Sequence, residues 1–339
     1  MSFSKAFICG CSGLVLSAAE QEFIARERPW GLILFSRNIA QPIQVKALVA
    51  EFRNILGQPR APVLVDQEGG RVQRLGPPHW PRHPSAAALA ALPGGRELRN
   101  GAVRLGARLI GAELRQLGVN VDCMPVLDVS QPEGHSVIGD RAYSRDPEEV
   151  AALGSAALEG LLAAGVLPIV KHIPGHGRAR ADSHRDLPVV GADLASLRAV
   201  DFAPFRALRH APIAMTAHIV YTAIDPERAV TVSAKAIEET IRGDIGFDGL
   251  LLSDDLSMHA LRGSLADRAC AAFAAGIDVG LHCNGDLAEA AQVAAASPRL
   301  EGRALARAEA ALALVSHEPG EFDLVDARAQ LHSMLAMSP

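Results

Sequence analysis

Short apolar runs alternate with longer amphipathic stretches from one end of the chain to the other. The runs at 6–9, 31–35, 62–66, 121–126, 167–172, 213–218, 249–254 and 278–283 predict strands, being strand-length and rich in aliphatic residues. Between them the period of a helix recurs at 17–28, 42–57, 96–117, 147–164, 193–209, 233–243, 265–275 and 287–296, and two further helical patterns, 303–316 and 323–335, follow the last run. Continuous rather than alternating apolar character marks strands buried on both faces, and strand-helix alternation marks a parallel sheet. Eight such units without a break in composition predict an α/β fold, a (β/α)8 TIM-like barrel. The prediction is one catalytic domain over residues 1–339, with C-terminal helices from about residue 300 packed on the barrel. A doubly wound dinucleotide fold would need G-x-G-x-x-G after the first strand, and the CGCSG of residues 9–13 does not supply it.

Composition narrows the classes further. The 339 residues are 49% hydrophobic but only 4% aromatic, which suits aliphatic helices on a sheet better than an aromatic-rich sandwich. A net charge of −5 with no clustered basic face argues against a nucleic-acid partner. The five cysteines (Cys9, Cys11, Cys123, Cys270, Cys283) are odd in number, scattered and without a C-x-x-C pair, the pattern of reduced cytoplasmic thiols. Lys5 followed by AFICGCSGLVLSAA superficially resembles a short signal peptide. Cleavage after Ala19 would remove the first predicted strand, so barrel closure argues against export. No apolar run approaches the roughly 20 residues needed to span a bilayer. The expectation is a cytoplasmic monomer with neither a membrane nor a nucleic-acid partner.

The predicted strands end in polar groups: Asp66, the Lys171-His172 pair, His218, Asp254, and His282 within the last one. In a barrel of this type the C-terminal strand ends converge on one mouth, where the chemistry sits. The stretch 167–188, LPIVKHIPGHGRARADSHRDLP, delivers polar groups from a strand into a long Pro- and Gly-broken loop carrying His176, Asp182 and His184. Long unstructured connections in compact domains are usually functional. An imidazole beside a carboxylate is a tuned proton carrier. In VDQEGGRVQRL (65–75) a double glycine turns the backbone sharply, and Arg71 and Arg74 follow at helical spacing. Asp66 can accept from vicinal sugar hydroxyls while Arg74 donates to others. Arg141 lies in IGDRAYSRDP before the helix expected at Pro147, and GPPHWPRHP (76–84) reads as a Pro-rich loop over the mouth.

Two adjacencies are constrained by the two-residue period of a strand. Lys171 and His172 cannot both face the barrel axis along a regular strand, although at its frayed end both can reach a ligand. Of Asp254 and Asp255 in GLLLSDDLSM only one should point into the mouth. Asp254 continues the apolar strand more directly, leaving Asp255 to cap the turn 256–258. Blander readings stand beside these: a surface ion pair for Asp66 and Arg74, a solvated Arg141, a loop-stabilising His176, and two capping aspartates.

Together the residues suit glycoside cleavage with retention, in which a carboxylate attacks the anomeric carbon and a second group serves first as acid and then as base. Asp254 is the expected nucleophile and His184 the acid/base, tuned by Asp182. A binuclear metal hydrolase built on His172, His176, His184, His218 and His282 with Asp254 would want an H-x-H pair on the first strand, and none is there. A sugar-binding protein without catalysis would use Asp66, Arg74 and Arg141 but would not require an acid/base pair on a loop.

KHIPGHG followed by ADSHRDLP, with VDQEGGRVQRL upstream and LLSDDLSM downstream, resembles glycoside hydrolase family 3, and within it the single-domain bacterial β-N-acetylglucosaminidases. The four motifs occur in order and span the barrel. The resemblance implies that Asp254 is the nucleophile and His184 the acid/base with Asp182 its partner. It implies that Asp66, Arg74, Arg141, Lys171 and His172 bind the non-reducing N-acetylglucosamine. It further implies an exo-acting enzyme, without metal or cofactor, that releases N-acetylglucosamine from muropeptides (its β-linked disaccharide with 1,6-anhydro-N-acetylmuramic acid, with or without peptide) in cytoplasmic peptidoglycan recycling. A family 3 β-glycosidase of broader specificity is the alternative.

Overall fold

The computed structural model describes residues 4–181, 183, 186–316 and 319–336. Eight parallel strands close on themselves: β1 (Lys5–Cys9), β2 (Pro29–Leu34), β3 (Val63–Val65), β4 (Val121–Asp122), β5 (Leu167–Ile173), β6 (Ile213–Thr216), β7 (Leu250–Asp255) and β8 (Val279–His282). Neighbours around the ring are consecutive in sequence, and β1 pairs with both β2 and β8 to complete it. The continuous apolar runs are explained by what lies on each face. Ala6, Ile8, Ile33, Leu64, Ile169, Ile213, Leu250 and Leu252 pack together inside the barrel, whereas Phe7, Leu32, Leu34, Val63, Val170 and Leu251 face the surrounding helices. Successive residues thus serve two apolar layers, so no polar face interrupts the run.

The helices begin where the sequence offers caps. Ser17 and Glu20 form a reciprocal capping box at Ala18–Glu27, and Asp146 caps Pro147–Ala163 with proline in the first turn. The helix expected over 193–209 is broken into Leu194–Ala199 and Ala203–Ala207, because Pro204 lacks the N–H that a continuing helix needs. The stretch Ala236–Ile245 is wound as a π-helix. The fourth strand is shorter than the expected 121–126, since Pro125 cannot donate to the ladder; Val126 rejoins it by a single bridge to Lys171. After β8, Leu300 and the helix Gly302–Ala313 contribute Ala308 and Ala311 to the interior cluster. The last helix, Leu324–Leu335, packs on Arg96–Gln116, with Arg328 donating to Glu113 at 2.8 Å.

Candidate active site

A cavity of about 450 Å³ opens among the C-terminal strand ends, lined by Asp66, Arg74, Arg141, Lys171, His172 and Asp254 among others. These six expected site residues, which come from five separate strand ends and loops, share one space. Asp182 and His184, the expected acid/base pair, lie outside the described residues.

One wall is a buried ionic network centred on Lys171. Its Nζ donates to Asp66 Oδ1 at 2.9 Å and pairs with Glu68 Oε1 at 2.7 Å. Arg74 donates to Asp66 Oδ2 at 2.9 Å, and Arg141 grips Glu68 with Nε and Nη2, both at 2.8 Å. Burial opposes ionisation of Asp66 and Glu68, but the surrounding cations outweigh it and hold both carboxyls below their ordinary range. Burial likewise opposes charge on Lys171, yet Asp66 and Glu68 raise its ammonium above the usual lysine value. All these groups are therefore ionised at neutral pH. Asp122 behaves oppositely: burial drives its carboxyl well above the normal range, although Gln67 N–H donates to it at 3.0 Å.

A second wall carries histidines. His172 Nδ1 lies 2.7 Å from Asp128 Oδ2, and the backbone N–H groups of His172 and His176 both donate to Asp128 Oδ1, at 3.2 and 2.6 Å. Burial works against the Asp128 carboxylate, but the adjoining His172 holds its pKa at about 2. The His176 ring packs edge-on against His172 with centroids 5.6 Å apart and meets Ser183 Oγ at 3.3 Å. Burial, reinforced by His172, lowers the His176 imidazole to about 4, so it is neutral and braces the loop. His218 bridges Thr231 Oγ1 at 2.7 Å and the Asp255 carbonyl at 3.0 Å.

Where β7 ends, both Asp254 and Asp255 line the cavity, against the expectation that alternation admits only one. The pairing of β7 with β8 slips between Leu252 and Asp255, so the two-residue period no longer holds there. The carboxylates nonetheless differ in use. Asp255 is tied to Ser257 N–H at 3.0 Å, Ser257 Oγ at 2.7 Å and Cys283 N–H at 3.2 Å, holding the 256–258 turn as expected. Asp254 Oδ1 accepts the Asp255 N–H at 2.8 Å. Lys171 and His172 also both reach the cavity, where the register of β5 against β6 shifts between Lys171 and Ile173; the peptide joining them is cis.

Arg71 and Arg74 do not stand on a helix. Gln67–Gly69 and Val72–Gln73 form an antiparallel ribbon whose turn is Gly69-Gly70, at φ of 87° and 59°. A Cβ on Gly69 would meet the Pro84 carbonyl at 2.3 Å, which is why only glycine serves there. The Pro-rich loop thus props the ribbon from behind and does not line the cavity. Arg71 is bound to Asp140 at 2.7 Å and to the carbonyls of Ser136, Val137 and Ile138.

Glu68 and Asp128 were not singled out as site residues from sequence. Glu68 had one available signal, its position two residues beyond Asp66, which on extended backbone puts both carboxylates on one face. Among the described residues no group of three or more His, Cys, Asp and Glu is arranged to hold a metal ion. No helix among them is long and apolar enough to cross a membrane.

The profile described as Glycosyl hydrolase family 3 N terminal domain matches residues 11–312. Beta-hexosaminidase of Pseudomonas aeruginosa is 39% identical over 85% of each chain, and that of Methylococcus capsulatus 42% identical over 79% of this chain and 80% of the relative. Among solved structures, NagZ from Neisseria gonorrhoeae in complex with N-trifluoroacetyl-D-glucosamine superposes with a TM-score of 0.87 at 29% identity, covering 99% of both chains. A family 3 β-N-acetylglucosaminidase from a Paenibacillus species gives 0.78 at 33% identity, covering 98% of this chain and 62% of that one. With the profile matching most of the chain and relatives of this identity over a similar share of it, the protein belongs to glycoside hydrolase family 3.

Proposed function

We propose that this enzyme is an exo-acting, retaining β-N-acetylglucosaminidase that releases non-reducing terminal N-acetylglucosamine from muropeptides in cytoplasmic peptidoglycan recycling. The substrate is N-acetylglucosamine β-linked to 1,6-anhydro-N-acetylmuramic acid, with or without attached peptide. The observation that carries this reading is a strand-end carboxylate, Asp254, sharing a sugar-sized cavity with the ionised network of Asp66, Arg74, Lys171 and Arg141. The names borne by the relatives, Beta-hexosaminidase and β-N-acetylglucosaminidase, support the choice of sugar.

In this mechanism Asp254 attacks the anomeric carbon while His184, oriented by Asp182, gives its proton to the departing glycosidic oxygen. The C–O bond to the leaving sugar breaks as the bond to Asp254 forms, with inversion. His184, now neutral, takes a proton from water, whose oxygen displaces Asp254 in a second inversion. The hydrogen bond from Asp255 N–H to Asp254 Oδ1 helps to orient that carboxylate. Asp66 accepts from sugar hydroxyls, and Arg74, Arg141, Lys171 and His172 donate. Arg74 Nε is buried and has no partner among the described residues, a donor available to a hydroxyl.

Labelling with a 5-fluoro-N-acetylglucosaminyl donor tests reaction class and nucleophile together. The expected result is a sugar mass on the peptide containing Asp254, accompanied by loss of activity on a chromogenic β-N-acetylglucosaminide. An unlabelled Asp254 with strong inhibition by a thiazoline analogue would instead assign the attack to the substrate's own acetamido group.

A further inference from the structure

The end of β7 leaves the barrel ladder before it delivers its carboxylates. The register of β6 against β7 runs as far as Met215 opposite Leu252, and the pairing of β7 with β8 slips between Leu252 and Asp255. On the β8 side, side chains replace the lost ladder: Ser253 Oγ accepts the Leu281 N–H at 2.9 Å, and Asp255 Oδ1 accepts that of Cys283 at 3.2 Å. On the β6 side the contact comes from His218, whose Nε2 meets the Asp255 carbonyl at 3.0 Å.

His218 stands in a directed chain of hydrogen bonds. A carbonyl only accepts, so Nε2 carries a proton. Burial disfavours a charged ring here, against the opposing pull of Asp254 and Asp255, which leaves Nδ1 as an acceptor. Thr231 Oγ1, 2.7 Å away, then donates to it in preference to the Ala217 carbonyl at 3.3 Å, and itself accepts from the Thr216 hydroxyl at 2.8 Å. Thr216, His218 and Thr231 are all fully buried, so bulk water does not compete for either ring nitrogen. A threonine at the end of β6 and another in the turn Val230–Val232 thus fix the tautomer.

The grip on the carbonyl is passed on to Asp254. Residue 255 is held at three points: its carbonyl by His218, its carboxylate by Ser257 and Cys283, and its N–H by Asp254 Oδ1 at 2.8 Å. His218 does not itself line the cavity. We propose that His218 is a positioning residue for the nucleophile: through the Asp255 carbonyl it sets the strand end from which Asp254 reaches the anomeric carbon. This rests on the reading of Asp254 as nucleophile given above.

His218→Gln and His218→Met separate the hydrogen bond from the volume of the side chain, since the two replacements are of similar length and only glutamine offers an N–H to the Asp255 carbonyl. The readout is the first-order rate at which a saturating 5-fluoro-N-acetylglucosaminyl donor labels Asp254, a rate that does not depend on how much of the sample is folded. His218→Met should lower this rate, and kcat on a chromogenic β-N-acetylglucosaminide, by about 10- to 100-fold, the cost of a small misplacement of a reacting group. KM should stay within about threefold, because the wall proposed to bind the sugar is untouched. His218→Gln should recover most of the loss. Thr231→Val, which removes the donor to Nδ1 and lets the ring take its other tautomer, should fall between the two. Equal rates in the methionine and glutamine variants, whether both fast or both slow, would show that His218 only fills space and overturn the inference. A wild type that hydrolyses the chromogenic substrate while Asp254 stays unlabelled removes the nucleophile reading instead, and the positioning role with it.

Discussion

Lys171 holds two carboxylates with one ammonium, at 2.9 Å from Asp66 and 2.7 Å from Glu68, and its side chain is only 3% exposed. Removing a single partner from a buried ionic cluster is costly because the remaining charges keep their desolvation penalty and lose their compensation. Lys171→Met preserves the stem and deletes the charge. It should lower stability at neutral pH by about 3–5 kcal/mol, read as a fall in the urea midpoint, and raise KM. The sign of the pH dependence follows from the depressed carboxyls. In the wild type, Asp66 and Glu68 ionise below their unfolded values, so the stability they confer is present above about pH 4 and is lost on further acidification. The deficit of the variant should therefore shrink as pH falls below that point, since protonated carboxyls no longer need the ammonium. An equal deficit at pH 7 and pH 3 would show that packing of the stem, not charge, accounts for the loss.

At the level of elements, the ribbon carrying Glu68 and Arg74 is held from behind by a chain of contacts reaching the last helix. Gly70 N–H donates to the His83 carbonyl at 2.9 Å, and His83 N–H donates to Gln73 Oε1 at 2.9 Å. The His83 ring meets Glu113 Oε2 at 3.0 Å, both side chains being buried, and Arg328 donates to the other oxygen of Glu113. The Pro-rich loop is thus a brace rather than a lid. Glu113→Ala leaves a buried imidazole without its partner and should cost about 1–3 kcal/mol, with KM raised several-fold and kcat changed less, because the ribbon proposed to bind the sugar shifts while Asp254 does not. Arg328→Ala removes only the partly exposed member and should cost less than about 1 kcal/mol. Steady-state kinetics and urea titrations on the two variants separate these outcomes; equal effects on kcat and KM in Glu113→Ala would contradict the bracing role.

For the molecule as a whole, the buried histidines govern how the barrel responds to mild acid. His176 titrates at about 4 in the fold because burial and the adjacent His172 disfavour its charge, against roughly 6.5 for a histidine in the unfolded chain. Between those values the unfolded chain binds a proton that the native state refuses, so stability rises with pH across the window and falls on acidification. His218, lowered in the same sense by burial, adds to the slope. Urea midpoints measured from pH 7 to pH 4 should decline, and His176→Gln should make the decline shallower by close to one proton. Parallel curves for variant and wild type would place the His176 titration at its ordinary value. Asp128, held at about 2 by His172 against the opposing effect of burial, contributes only to a further loss at stronger acidity.

Much of this was legible before the fold was known. Residues inside a parallel barrel meet side chains on one face and helices on the other, so each strand is written as an uninterrupted apolar run whose polar terminus lies at the mouth. The eight strands and the gathering of Asp66, Arg74, Arg141, Lys171, His172 and Asp254 on one side followed from that local pattern. Local period failed where the backbone departs from a regular strand: Asp254 with Asp255, Lys171 with His172, and the ribbon that displaces the expected helix after Asp66. Which charges neutralise one another was beyond its reach. Glu68 meets Arg141, and Asp128 meets His172, only because parallel pairing lays side by side strand ends separated by dozens of residues. Hydrophobic periodicity records the environment of a residue and its near neighbours, and so the sequence determined the barrel and its chemical side. Charge pairing and side-chain hydrogen bonding depend on which strand ends lie side by side, and so only the tertiary structure decided that Lys171 answers both Asp66 and Glu68 and that His218 holds the Asp255 carbonyl.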